Sequence, residues 1–293
     1  MDISAVIVSY NVKSRLKLCL ESLLLALQGE GNEIIVIDNN SSDGSPEMIR
    51  NEYRGIKLIE NSSNRGFGAA CNQGITISTG KYLLVLNPDT VVPPAAPAMF
   101  IAFMDEHPQA GAAGPRLTDS NGAFLPESKR GIPTASAALF RMSGIYKLFS
   151  GSSFVNRYYM GHIGETDTAR VEALTGAFMF MLREAAEKAG LFDERYFMFG
   201  EDIDLSMQIS AAGYEVWYYP AVTVTHFKGS SGAMKSYRGL RHFYRSMHLF
   251  IEKNFSQKYI FPFRALMHSG VFLSGLLAII IRTPAIIAYR MAR

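Results

Sequence analysis

Apolar residues follow two rhythms along this chain. Ile3–Ser9 is a nearly unbroken apolar run, the pattern of a strand covered on both faces. After it Leu16, Leu20, Leu23, Leu24 and Leu27 recur at spacings of three and four, which predicts a helix. The alternation then repeats. Residues 33–37, 56–60 and 81–86 read as strands, 46–53 and 66–78 as helices, and 41–44 as turn chemistry. Strands alternating with helices at this spacing predict βαβ units and an α/β fold, a mostly parallel sheet flanked by helices. Farther on, 171–182 reads as a strand containing Thr175-Gly176-Ala177, and 183–189 as a helix stopped by Gly190. A helix then runs to Ala212, with Gly213 as its cap. Residues 215–219 and 222–226 read as two strands parted by Pro220. Residues 118–165 have little periodicity and much Gly, Ser and Pro, as a long functional loop has.

In such sheets ligands bind outside the carboxyl ends of the strands. Four successive predicted strand ends carry polar clusters: Ser9-Tyr10-Asn11, Asp38-Asn39-Asn40, the asparagine-rich stretch 61–64, and Asn87-Pro88-Asp89. Turn formation explains any one of them, since Asn and Asp close turns, but not all four in a row. Asp38 stands where the base or ribose of a nucleotide would lie. Its carboxylate can accept a pyrimidine N3–H or a sugar hydroxyl. Asn64-Arg65-Gly66-Phe67-Gly68 precedes a helix whose N-terminus favours a phosphate, and its glycines permit close backbone approach. It is no P-loop, because no Gly-Lys-Ser/Thr follows. Arg65 reads equally as a solvated charge. Asp89, stiffened by Pro88, is placed to hold a divalent cation between two phosphates, a task for Mg2+ or Mn2+. His226 ends another strand and is a candidate imidazole ligand.

The densest chemistry is Gly200-Glu201-Asp202-Ile203-Asp204-Leu205. Three carboxylates fall within four residues, between the aromatic run from Tyr196 to Phe199 and an apolar helical pattern. The first turn of a helix favours negative charge. Three acids against an apolar wall also point to a proton, a cation or a base.

At 293 residues the chain suits one α/β domain with an appendage. Its two cysteines, Cys19 and Cys71, make neither a disulfide framework nor a zinc spacing, so a reducing cytoplasm is expected. Met1-Asp2-Ile3 leads straight into a strand without the basic start of a signal peptide. The net charge of +3 conceals an asymmetry. From Ser231 onward there are ten Lys or Arg and one acid, Glu252, a surplus of nine that leaves the remainder at −6. A basic tail on an acidic body seeks an anionic surface, nucleic acid or membrane. The tail's pattern decides for lipid and against nucleic acid. Tyr237, Leu240, Tyr244, Met247 and Ile251 form a stripe with Lys235, Arg238, Arg241 and Arg245 outside it, a basic amphipathic helix. Packing on the body with the basic face in water is the competing reading of that helix. Residues 265–281 are nearly uncharged, at about the lower limit for a span. Arg282, Arg290 and Arg293 follow, and 284–289 form a second short apolar piece. A monotopic anchor is expected rather than a true span.

Taken in order, Val6-Ile7-Val8-Ser9-Tyr10-Asn11, Val36-Ile37-Asp38-Asn39-Asn40-Ser41-Ser42-Asp43-Gly44, Asn64-Arg65-Gly66-Phe67-Gly68, Asn87-Pro88-Asp89 and Gly200-Glu201-Asp202-Ile203-Asp204 resemble the motifs of family 2 glycosyltransferases. These have the Rossmann-like GT-A fold. The similarity is closest to a rhamnosyltransferase-like branch that builds bacterial surface polysaccharides, and it covers residues 3 to about 230. It implies a donor half at about 1–117 and an acceptor half at about 118–230, followed by the membrane-associating tail that the pattern of 231–293 predicts. It further implies inverting transfer from a nucleoside-diphosphate sugar to a lipid-linked saccharide on the cytoplasmic side of the membrane. The first expectation for the donor is dTDP-rhamnose, with galactofuranose or a hexose on UDP as alternatives. Asp38 would match the nucleotide-binding aspartate, Asp89 the last acid of the metal-binding Asp-x-Asp, Asp202 the catalytic base and His226 a metal-site histidine. Ser9, Tyr10, Asn11, Asn40, Asn64, Arg65, Gly66 and Asn87 would join Asp38 around the donor. Glu201, Asp204, Gly176 and Ala177 would face the acceptor. Asn87 replaces the first acid of Asp-x-Asp, which weakens the expected hold on Mn2+ or Mg2+. A nucleotidyltransferase would want a Gly-rich loop with Lys or Arg where Ser9-Tyr10-Asn11 stands. A non-catalytic scaffold would not need Asp89, Asp202 and His226. The oligomeric state and the linkage formed are not written in the sequence.

Overall fold

A computed structural model describes residues 2–29, 31–134, 136–137, 145–149, 151–227 and 236–291, with side chains to 286. One nine-stranded sheet organises the body, in the order β3-β2-β1-β4-β8-β6-β9-β5, with β7 (Ala169–Arg170) paired to β9. The first four strands are β1 (Ile3–Ser9), β2 (Asn32–Asp38), β3 (Lys57–Glu60) and β4 (Tyr82–Leu86), and all run parallel. Beyond β4 the sheet is mixed. β8 (Phe178–Leu182) is antiparallel to both β4 and β6 (Ala110–Thr118), and β9 (Glu215–His226) is parallel to β6. The two-residue β5 (Thr90–Val91) pairs antiparallel with the end of β9, setting Thr90 opposite His226.

Every residue of β1 is buried, as its unbroken apolar run requires. Ile3, Ala5 and Ile7 face α1 (Lys13–Ala26), whose Leu16, Leu20 and Leu23 are fully buried. Each such leucine contributes about 1.5–3 kcal/mol. Val6 and Val8 face the other way, toward α3 (Phe67–Ile77), α5 (Arg183–Lys188) and α6 (Glu201–Ala211). Helices α1, α2 (Ser45–Glu52) and α4 (Ala96–Glu106) thus cover one face and α3, α5 and α6 the other. The side of crossing changes between β1 and β4. That switch point opens a crevice at their carboxyl ends, where Ser9-Tyr10-Asn11 and Asn87-Pro88-Asp89 emerge.

Three expectations change. Residues 215–226 form one strand, because a register shift against Pro115 and Arg116 absorbs Pro220. The stretch 171–182 becomes a strand only at Phe178, because the backbone N–H groups of Leu174 and Gly176 are taken by the side chains of Ser206 and Asp202. Helix α4 and strand β6 carry no signal in the reading above, yet they complete the far half of the sheet.

The tail is a helical hairpin, α7 (Tyr237–Phe255) and α8 (Phe261–Met291). Phe250, Ile251 and Phe255 of α7 pack with Ala173, Tyr196, Ile203 and Val271, so the inner face of α7 belongs to the body. Arg238, Arg241 and Arg245 remain exposed, whereas Lys235 and Arg293 lie outside the described residues, as does the side chain of Arg290. α8 runs unbroken through Pro284, where the sequence predicted two pieces. Packing outweighs the proline: the Tyr237 hydroxyl on α7 donates to Thr283 Oγ1 at 2.9 Å. Phe261–Ile286, 26 residues, is long and apolar enough to cross a membrane, with a mean hydropathy of 1.7 over its most apolar 18-residue window. Leu266, Phe272, Leu273, Ile280 and Ile281 are each more than 60% exposed.

Candidate active site

Asparagine side chains tie the strand exits of the donor half together. Asn11, at φ 52°, receives the N–H of Ser42 on Oδ1 at 2.8 Å and gives its own N–H to Ser41 Oγ at 2.9 Å. Asn39 is the hub. Its Nδ2 donates to Gly66 O at 3.0 Å, and its Oδ1 accepts from Asn61 Nδ2 at 2.9 Å. Asn64 Oδ1 accepts the N–H of Gly66 at 2.9 Å. Asp38 is buried at the end of β2. Its Oδ1 takes the N–H of Ser41 at 2.7 Å, while Oδ2 is buried with no hydrogen-bond partner among the described residues. Burial raises its pKa despite that bond. Ser9 Oγ is likewise buried and unpartnered, whereas Tyr10, Asn40 and Arg65 are exposed at the crevice rim.

Beside these exits opens a cavity of about 680 Å³, lined by Asn11, Lys13, Arg15, Asp43, Asp119 and His226, among others. Lys13 and Arg15 occupy the first turn of α1, where the helix dipole disfavours cations. That misplacement was the available signal, and the sequence reading passed over it. Arg15 lies 4.0 Å over the ring of Phe227.

Asn87 and Asp89 follow β4. The N–H of Asn87 donates to Ala177 O at 3.1 Å and its carbonyl accepts Thr90 Oγ1 at 2.8 Å, so its backbone shapes the turn. Asp89 and His226 are buried, with Nε2 3.2 Å from Oδ1. Neither Asp89 Oδ1 nor His226 Nδ1 makes a hydrogen bond among the described residues. A buried carboxylate and a buried imidazole in contact, each with an atom free of hydrogen bonds among the described residues, suit a borderline cation such as Mn2+. Among the described residues no third His, Cys, Asp or Glu joins them, so the remaining ligand positions would fall to other oxygens, such as phosphate.

Asp202 opens α6 and is largely buried. Its Oδ2 accepts from Arg130 Nη2 at 2.6 Å and from the N–H of Gly176 at 2.9 Å. Oδ1 bonds only the adjacent N–H of Ile203, at 2.8 Å, among the described residues. The carboxylate is thus held by one oxygen and offers the other. Sequence reasoning missed Arg130. It lies in the aperiodic stretch, 72 positions from its partner, and is almost fully buried beside Leu174 O and Tyr158. Gly176 and Ala177 form the turn between the two acidic sites: one bonds Asp202 and the next bonds Asn87.

The other two acids of α6 face elsewhere. Glu201 is buried against α3, near Gly68, and its Oε2 has no partner among the described residues. Burial first, then the charge of Asp202, pushes its pKa up to about 8, which favours the protonated form. Asp204 is fully buried, taking Lys253 Nζ on Oδ2 at 2.8 Å and Asn254 Nδ2 on Oδ1 at 3.0 Å. Both partners come from α7. The acceptor-side expectation for Asp204 therefore gives way to an anchoring contact with the tail, because α6 turns its first-turn acids to three different sides.

A family model described as glycosyl transferase family 2 matches residues 4–190. The N-acetylglucosaminyl-diphospho-decaprenol L-rhamnosyltransferase of Mycobacterium tuberculosis is 27% identical over 270 residues, covering 88% of this chain and 87% of its own. Staphylococcus aureus TarS 1-349 in complex with UDP-GlcNAc superposes with a TM-score of 0.61 at 16% identity, over 93% of this chain and 72% of that one. Mannosyltransferase PcManGT from Pyrobaculum calidifontis in complex with GDP-Man and Mn2+ gives 0.59 at 18% identity, over 99% and 75%. At such identities the two structures speak to the fold alone.

Proposed function

The chain belongs to glycosyl transferase family 2, and from that premise we propose that it moves rhamnose from dTDP-rhamnose, with inversion, to a lipid-linked saccharide. The setting we assign is bacterial surface polysaccharide synthesis at the cytoplasmic face of the membrane. One observation carries the reading. Adjacent residues of a single turn, Gly176 and Ala177, bond Asp202 and Asn87, so a half-open carboxylate and the Asn-Pro-Asp turn flank one crevice.

Asp202 Oδ1 takes the proton of the acceptor hydroxyl as that oxygen bonds to the anomeric carbon. The bond from that carbon to the diphosphate breaks on the opposite face, and the nucleoside diphosphate leaves with its electron pair. Arg130 and Gly176 fix Oδ2, so the base meets its proton without reorienting. Asp38 Oδ2 receives the N3–H of a pyrimidine, which thymine and uracil share. Asp89 and His226 would hold a divalent cation, with Asn87 as a neutral neighbour. When bound, that cation would offset the charge gathering on the departing diphosphate. The lipid acceptor is supported by the name of the mycobacterial relative and by the exposed apolar length of α8. A cytoplasmic face agrees with two buried free cysteines.

The test uses the full chain in detergent with membrane lipid extract, Mn2+, and dTDP-rhamnose beside UDP-hexoses. The expected products are dTDP and a lipid heavier by one deoxyhexose. Release from UDP-hexoses alone would overturn the donor, and pyrophosphate or no product would overturn the reaction. In the same assay Asp89→Ala should weaken dTDP binding about tenfold or more in Mn2+ and little in EDTA. Equal losses in both would make Asp89 structural.

A further inference from the structure

The segment that enters α6 holds an unusual conformation. Phe199 and Gly200 both have positive φ, 71° and 90°. For a phenylalanine this costs on the order of 1 kcal/mol or more and persists only where neighbours impose it. Those neighbours lie on α7. His242 stacks on Phe197 with ring centroids 4.1 Å apart and planes 18° apart. Phe243 meets Phe199 edge-on at 5.5 Å, and Ser246 Oγ donates to Met198 O at 2.9 Å. On its far side the same segment touches the donor loop. Phe197 O accepts the N–H of Phe67 at 2.9 Å, and a Cβ on Gly66 would lie 2.3 Å from that carbonyl, so only glycine fits there.

We propose that α7 is a positioning element of the transfer reaction: His242 and Ser246 clamp the Phe197–Phe199 segment, which holds the donor loop at Gly66-Phe67 and the base at Asp202 as one rigid unit. The coupling to Asp202 rests on its assignment as the base. Seating α7 does not require this clamp, because Phe250, Ile251 and Phe255 already bury its inner face. His242 and Ser246 instead address an irregular segment that lies in no strand or helix. Burial, with Arg238, Arg245 and Arg241 nearby, lowers the His242 pKa, which keeps the stacked ring neutral at pH 7. Donor and acceptor are brought to reacting distance by opposite ends of this unit. A misplacement of about 1 Å between them costs on the order of a hundredfold in rate.

The experiment compares His242→Ala, Ser246→Ala and the ring-preserving His242→Phe in the full chain. Hydrogen exchange needs no substrate. His242→Ala should speed exchange at both the Phe67 and the Gly176 amides, while thermal unfolding stays well above the assay temperature. With dTDP-rhamnose and lipid extract, its kcat should fall about 10- to 100-fold with acceptor KM within about twofold, and His242→Phe should restore both readouts. Wild-type exchange and turnover in His242→Ala, exchange rising at only one of the two amides, or a loss that phenylalanine leaves unrepaired would each overturn the clamp. Asp202→Asn runs alongside. It should abolish turnover without touching exchange at Phe67, so a wrong base is read separately from a wrong clamp.

Discussion

The two sides of the crevice are fastened by different forces. On the donor side neutral amides do the holding: Asn11, Asn39, Asn61 and Asn64 bond backbone and one another across neighbouring loops. On the acceptor side ions do it: Arg130 on Asp202, Lys253 on Asp193 and Asp204. Most of the unspent acceptors follow the same division. Ser9 Oγ, Asp38 Oδ2 and Asp89 Oδ1 are buried without hydrogen bonds among the described residues, whereas Asp202 Oδ2 has two; Glu201 Oε2, turned toward α3, has none. Under the proposed function, one wall receives the donor and a cation and the other keeps a charge still. Hydrogen bonds from side-chain amides hold without net charge, and the desolvation cost on that side falls on Asp38, whose pKa burial raises. A buried carboxylate beside the acceptor needs a counter-charge to stay in place.

The sharpest way to break this contrast is Asp202→Asn. Turnover should fall about 10²- to 10⁴-fold with dTDP affinity unchanged, since the base acts only in the transition state. Titration calorimetry with turnover checks it, and activity within a few-fold of wild type would remove Asp202 from the mechanism. Arg130→Met comes next. It strands a buried carboxylate and should cost about 3–5 kcal/mol of stability in urea unfolding. Arg130→Lys should recover part of that loss. A methionine variant as stable as wild type would mean that ions do not hold the acceptor wall. Glu201→Gln acts on stability alone and is visible as a slope. A carboxyl whose folded pKa is raised to about 8 keeps its proton in the native state while the unfolded chain loses it near 4.5. Stability from this group therefore falls as pH rises across that window, by at most about 1.4 kcal/mol per pH unit. Glutamine should flatten the slope in urea midpoints compared from pH 5 to pH 8, and an unchanged slope would place the titration elsewhere.

The same division explains what was legible in the sequence. The donor wall is local. Its asparagines stand at the ends of apolar strands and bond within their own loop or the next, so pattern and chemistry coincide at Asp38 and Asn64, whereas Asp89 meets His226 only in the folded chain. The acceptor wall is not local. Arg130 lies where hydrophobic periodicity fails, and only the folded chain brings it to Asp202. Lys253 and Asn254 fall inside an amphipathic helix whose outward charges drew the eye, while the inward pair holds Asp204. Glu201, Asp202 and Asp204 are one cluster in sequence and three environments in space, because the start of a helix points successive residues to different sides. Pro220 misled in another way: a proline read as the gap between two strands is tolerated where a register shift takes up the slack.

The grip of α7 on the Phe197–Phe199 segment also fixes when the protein becomes an enzyme. Chains fold as they are made, N-terminal parts first, and long-range contacts bear a closure cost that local ones escape. The parallel half of the sheet, with its asparagine-laced exits, can assemble from nearby segments. The acceptor wall waits for residues 72 positions apart, and the Ser246–Met198 bond spans 48 positions and waits for α7. The asparagine network of the donor side therefore precedes both the base and the His226 side of the pocket, which close later. Catalytic competence arrives with the helix that leads into the tail.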